Sequence, residues 1–210
     1  GFNINEATDI LLKRDFDRYR EIGEPHPFLV AKGRDFLIPF SHEHFELWTQ
    51  SLHFGAKDRL NFVDPKTNLK VGGGLDDVWL NINTNCLHLV DYKSTSQKSD
   101  KGPITLDDPW KASYKRQMDL YVWVLRKKGF HVDDVGYFLY CDGDRFSDYD
   151  FLSNTTASMN FKITLIDYKT NDTWIEPTLQ DISECLNESK RPQHSDYCEY
   201  GKFLTQSLNQ

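Results

Sequence analysis

Apolar positions along the chain alternate between two periods, and the changes of period predict the elements. From Asn5 to Ile22 the apolar residues Ile10, Leu11, Phe16 and Tyr19 recur at helical spacing, and Gly23 followed by Pro25 ends the run, which predicts an amphipathic helix. The stretch PHPFLVAKGRDFLIPF is apolar but broken by Pro27, Gly33 and Pro39, so it reads as loop and short strand. Ser41 is placed to cap a second helix from His42 to about Leu52. Residues 69–80 and 86–95 read as two strands joined by the polar turn NINTN. The polar connection SQKSDKGPITLDDP is of the kind that orders on binding. Asp108 and Pro109 mark an N-cap and first helical position, and the helix they open carries Trp110, Tyr114, Met118, Tyr121, Val122 and Leu125 as its stripe before stopping at Gly129. VGYFLYC and FKITLID read as two further strands, and TLQDISECL as a final helix with Pro177 near its start.

Composition bounds this outline. The 210 residues are 39% hydrophobic and 14% aromatic, which suits one α+β domain over residues 1–210, helical over about 1–65 with a core over about 66–205. No run approaches a membrane span and no signal sequence stands at the start, so the expectation is a soluble, cytoplasmic chain without membrane partners. It begins at Gly1 rather than Met, as a processed chain or an expressed fragment would. A formal charge of -7 argues against coating nucleic acid by bulk electrostatics. Local basic strips exist at Lys111, Lys115 and Arg116, at Arg126, Lys127 and Lys128, and at Lys190 and Arg191, where a solvated helix face is the plainer reading. Cys86, Cys141, Cys185 and Cys198 form no CxxC pair, which suits free thiols in a reducing compartment, the first two as small buried hydrophobes.

The hairpin carries acids where a strand favours Val or Ile. Strand alternation puts Leu87, Leu89, Asp91 and Lys93 on one face and His88, Val90 and Tyr92 on the other. On the partner strand Gly72, Gly74 and Asp76 share a face and Asp77 takes the other. Glycines weaken a strand and mark places where a ligand or another backbone comes close. If Asp76 lies beside Asp91, two carboxylates converge next to an ammonium, and a hard cation resolves the repulsion. The alternative is a plain Asp91–Lys93 ion pair with solvent-facing Asp76 and Asp77, and spacing alone leaves both open.

The run Gly73-Gly74-Leu75-Asp76, followed after a short gap by Leu87-His88-Leu89-Val90-Asp91-Tyr92-Lys93-Ser94 and then by Gln117 and Tyr121 within YKRQMDLYVW, resembles the core of the PD-(D/E)xK nuclease superfamily. The RecB-type exonucleases and the CRISPR-associated adaptation nucleases are the most similar in pattern, and the likeness covers roughly residues 70–205. It implies a restriction-endonuclease-like α/β/α core: a mixed central sheet with the hairpin at its active-site edge, flanked by the Gln-x-x-x-Tyr helix and the N-terminal helices. It implies that Asp76, Asp91 and the backbone carbonyl of Tyr92 bind Mg²⁺ or Mn²⁺, and that Lys93 orients the attacking water. Gln117 and Tyr121, on one helical face at i and i+4, complete the catalytic set, and they and Lys115 are the candidates for contact with nucleic acid.

The family often adds a metal ligand from an upstream helix. SHEHFELW offers His42, His44 and Glu46, of which His44 is the choice, against surface or capping roles for each. Many relatives also hold an iron-sulfur cluster on cysteines flanking the core. Here no cysteine precedes Cys86, and Gly201 stands where the second cysteine of the terminal pair would be, so no four-thiolate set assembles and the cluster is expected to be absent. The function implied is a metal-dependent deoxyribonuclease acting on single strands or ends of DNA, with a helicase or other domain as a partner in a larger protein. The alternative is a catalytically silent nuclease-fold module that binds nucleic acid or protein. Trp79, Trp110 and Tyr114 are candidates for base stacking, although core packing is the commoner fate of such aromatics.

Overall fold

The computed structural model of the chain describes residues 3–50, 59–97, 102–146, 148–190 and 192–208. Helices α1 (Asn3–Ile22) and α2 (Pro27–Ala31) lead into β1 (Leu37–Pro39), the short α3 (Phe45–Trp48), β2 (Asn61–Val63) and β3 (Lys70–Gly72). The hairpin β4 (Asp77–Asn81) and β5 (Cys86–Thr95) follows, then a 3-10 turn over Pro109–Lys111 that runs into α4 (Ala112–Lys127). Strands β6 (Val135–Gly143) and β7 (Phe161–Lys169) and helices α5 (Ile175–Asn187) and α6 (Glu199–Leu208) complete the order.

The fold class is α+β: a mixed five-stranded sheet in the order β1-β4-β5-β6-β7, packed with helices. Its pairs are antiparallel except β5 with β6, and α4 makes the long crossover that a parallel neighbour requires. On one face α4 packs its Met118, Tyr121, Val122 and Leu125 with Leu87 and Leu89 of β5, joined by Ile175 of α5. On the other, Phe16 of α1 packs with Trp79, Val90, Tyr92 and Leu139. The period-2 reading of β5 therefore holds: Leu87 and Leu89 face α4, while Val90 and Tyr92 face α1.

Several expectations need correction. The hairpin lies inside the sheet, not at an edge, because β1 pairs with β4 on its outer side. Residues 1–65 are accordingly not purely helical, since β1 and β2 both fall there. The first expected strand, 69–80, breaks in two. Lys70–Gly72 pairs with β2 in a separate two-stranded sheet, and the main ladder resumes at Asp77. The glycines explain this, since a Cβ on Gly72 would sit 2.2 Å from the Leu60 carbonyl oxygen, an approach between backbones that a side chain would prevent. The α1 stripe also differs. Ile10 and Leu11 are exposed, and the sheet-facing ladder is Thr8, Leu12, Phe16 and Arg20, spaced at i+4. Two of its four members are polar, which hides the stripe from a hydrophobic pattern.

Ser41 does not cap a helix. The helical turn begins at Phe45 with His44 in the cap position, and the rest of the expected segment, 51–52, lies outside the described residues. The helix over 175–187 is not the last, because α6 follows it. Among the described residues no helix is long and apolar enough to cross a membrane.

Candidate functional site

The site grows from the β4–β5 register. Asp77 pairs with Val90, so the residue before the strand, Asp76, comes opposite Asp91. The backbone N–H of Tyr92 donates to Asp76 Oδ2 at 2.8 Å, which fixes that carboxylate beside β5. Asp91 is buried and ion-paired with Lys93, its same-face neighbour on the strand. Lys93 Nζ also lies 3.3 Å from the Tyr92 carbonyl oxygen and 4.7 Å from the centre of the Tyr114 ring. The two acids, the ammonium and the Tyr92 carbonyl thus meet on the second half of β5. The Asp91–Lys93 ion pair of the plainer reading is present, but Asp77 is fully buried and Asp76 half-buried, so neither acid simply faces solvent.

Burial sets the electrostatics. It pushes Asp91 up to about 7, with Asp76 and Asp9 adding to the rise and Lys93 opposing it. Asp76 is raised for the same leading reason, again against the pull of Lys93. Burial disfavours the Lys93 ammonium, but Asp91 and Asp76 outweigh it and hold its pKa above the ordinary lysine value. Carboxylates this close, in so little solvent, do not all ionise readily without a further positive charge.

Asp9 is the residue that the sequence did not disclose. Burial, then the charge of Asp76, pushes its carboxyl up to about 6, while Lys93 and Ser94 act the other way. Ser94 Oγ donates to Asp9 Oδ1 at 3.4 Å and also bonds to Thr8 Oγ1. The group that reaches the carboxylates from upstream therefore comes from α1, not from SHEHFELW. His44 is exposed and contacts its neighbours Glu43 and His42, while His42 stacks on Trp48 at 4.5 Å. The available signal was Thr8 at the head of the i+4 ladder, which turns the first turns of α1 toward the end of β5.

Gln117 and Tyr121 join the cluster from α4, with Gln117 Nε2 donating to Tyr121 Oη at 3.2 Å. Burial raises the Tyr121 phenol, and the charges of Asp76, Asp91 and Lys93 all reach it. Gly73 makes this approach possible, since a Cβ there would lie 2.3 Å from Tyr121 Oη. Lys115 is half-buried on the same helix.

Asp77 plays a different part on the opposite face. It is fully buried, and accepts from Arg20 Nη2 at 2.6 Å, Tyr92 Oη at 2.6 Å, Trp79 Nε1 at 3.2 Å and the Val78 N–H at 2.7 Å. Its bonds tie α1 to the hairpin, and it takes no part in the Asp76–Asp91 pair.

The other candidates divide. Trp79 is core, stacked on Phe16 at 5.2 Å. Tyr114 is half-buried, and Trp110 is 58% exposed. The basic strip on α4 is largely spent on structure, because Arg126 pairs with Asp134 and Asp172 and Lys127 with Glu176. Cys86, Cys141, Cys185 and Cys198 are free thiols. Cys141 is buried as expected, but Cys86 is only half-buried. At Gly201 a Cβ would lie 2.5 Å from that of His194, so any larger residue there would have to displace His194.

The donors suit a hard divalent cation: two carboxylates and a backbone carbonyl, all oxygen, with excess negative charge in a buried setting. Among the described residues no group of three or more His, Cys, Asp or Glu side chains forms a ready-made metal cage. Comparison of the chain with protein-family models, with curated proteins and with solved structures finds no match.

Proposed function

We propose that the chain is a metal-dependent deoxyribonuclease of RecB-like type, in the PD-(D/E)xK superfamily, that hydrolyses phosphodiester bonds of single strands or ends. The observation that carries this reading is the meeting of Asp76, Asp91 and Lys93 at the end of β5, with Tyr121 closing in over Gly73. Asp76, Asp91 and the Tyr92 carbonyl would hold Mg²⁺ or Mn²⁺. When bound, the cation supplies Lewis-acid stabilisation of the phosphate and a more acidic water.

The chain's own residues do the rest. Lys93, kept protonated by its acidic neighbours, serves as a donor: it orients the attacking water and steadies charge on the phosphate. Tyr114, beneath its ammonium at 4.7 Å, fixes where that donor points. Gln117 and Tyr121 position the strand or Lys93 from the α4 side. Water adds across one P–O bond, leaving a phosphate monoester on one product and a hydroxyl on the other.

Digestion of labelled single- and double-stranded DNA with Mg²⁺, Mn²⁺ or EDTA tests the reading. Metal-dependent cutting is expected, with Asp91→Ala and Lys93→Ala each reducing it by about 100-fold or more. Cutting that persists in EDTA, or in both variants, would contradict it. The net charge of -7 favours a second reading, a nuclease-fold module that binds without cutting. That reading predicts DNA binding by the folded wild type and no product with any metal.

A further inference from the structure

Beside Lys93 lies a cavity of about 610 Å³, within the size range of small-molecule sites. It is walled by Ser94 and Ser96 from the end of β5 and by Thr105, Trp110, Lys111 and Tyr114 from the approach to α4. Lys111 is buried, a rare state for lysine. Its Nζ donates to the Thr105 carbonyl at 2.6 Å, pairs with Asp108 at 2.9 Å and sits 5.1 Å from the Trp110 ring centre. Its charge is thus committed to holding this corner together. Trp110 remains 58% exposed at the rim, although Tyr114 meets it edge-on at 5.5 Å and 85°.

A large aromatic ring that is braced on one side and open on the other has the form of a stacking surface. Tyr114 links it to the chemistry, because the ring that braces Trp110 also lies under Lys93 Nζ. Those two contacts put the indole no farther than about 10 Å from Lys93 Nζ, roughly the reach of one or two nucleotides of an extended strand. The Tyr140 hydroxyl is buried in the same wall without a hydrogen-bond partner among the described residues, and so leaves a polar group unmet beside the cavity.

We propose that Trp110, braced by Tyr114, is a base-stacking platform that holds an unpaired nucleotide next to the phosphate at Lys93. It thereby makes single-stranded DNA the preferred ligand of this site. The inference rests on the nuclease reading for its choice of ligand and for the place of the phosphate. A base can lay its face on the indole only if it is out of a duplex stack, and unstacking carries a cost that a single strand largely avoids.

The test is fluorescence anisotropy of a labelled single-stranded DNA 12-mer, of the same oligomer with abasic sites and of the matching duplex, all in EDTA so that no cutting intervenes. Wild type, Trp110→Ala and Trp110→Phe are compared, with a thermal melt of each to establish that the variants keep the fold. The expected result is an approximately tenfold loss of single-strand affinity in Trp110→Ala and less than about threefold in Trp110→Phe. Trp110→Ala should also bind the base-bearing and abasic oligomers alike, and lose the wild type's preference for single strand over duplex. Unchanged affinity in Trp110→Ala, an equal loss for both oligomers, or a wild type that binds no single strand would overturn the platform. Cleavage in Mn²⁺, read in parallel, separates the two ideas. Trp110-dependent binding without cutting would retain the platform and overturn the nuclease, and cutting with Trp110-independent binding would do the reverse.

Discussion

Asp91 concentrates the chemistry of this chain in one side chain. Its carboxyl is held near 7 against an ordinary value of 3.8, so in metal-free protein the native state keeps a proton that the unfolded chain releases. Stability from this group is therefore full below about pH 4 and is lost as pH rises through about 7. Asp91→Asn removes this titration, so the loss of stability of metal-free protein between about pH 4 and about pH 8 is expected to be smaller in the variant. Urea melts of both proteins at the two pH values measure this, and an equal loss in both would refute the strain. Gly73 is the second informative residue. Gly73→Ala drives a methyl into Tyr121 and should cost about 1–3 kcal/mol while lowering any activity that depends on the Gln117–Tyr121 pair. An unchanged melting temperature would show that Tyr121 does not need this approach.

At the scale of elements, α1 proves to belong to the site. Its polar ladder members do the anchoring: Thr8 bonds to Ser94 beside the carboxylates, and Arg20 pairs with fully buried Asp77 on the other face of the hairpin. Removing one partner of a buried pair strands the other charge. Asp77→Ala should thus destabilise by about 3–5 kcal/mol in chemical unfolding, and a loss below about 1 kcal/mol would mean that Arg20 finds other partners. The hairpin was legible because a period of two sorts Leu87, Leu89, Asp91 and Lys93 from Val90 and Tyr92 whatever the surroundings. The role of α1 was not, because Thr8 and Arg20 are polar and a hydrophobic pattern counts them as solvent-facing. The stretch around β1 was legible only as loop and short strand, because three residues carry too few positions to show a period, and the short helix α2 in the same stretch went unread.

The whole molecule combines net negative charge with a buried acidic cluster, and Lys111, Arg126 and Lys127 are committed to ion pairs. Bulk attraction to DNA is therefore weak, and the salt dependence of single-strand binding should be shallow, with a log–log slope of about -1 to -2. A slope steeper than about -4 would indicate a phosphate track outside the site described. Fold class was readable from the order of helical and strand periods, and alternation placed Asp91 and Lys93 on one face, whereas spacing left open whether Asp76 joins them. The contribution of Asp9 and the internal place of the hairpin depend on contacts between residues far apart in sequence, which pattern does not encode. A divalent cation is proposed to resolve the repulsion between the carboxylates of Asp76, just before β4, and Asp91 of β5. Calorimetric titration of Mn²⁺ into metal-free protein tests it most directly, compared with Asp76→Asn and Asp91→Asn. Saturable binding that is lost or weakened at least about tenfold in both variants is predicted, whereas binding unchanged in both, or absent from the folded wild type, would contradict it.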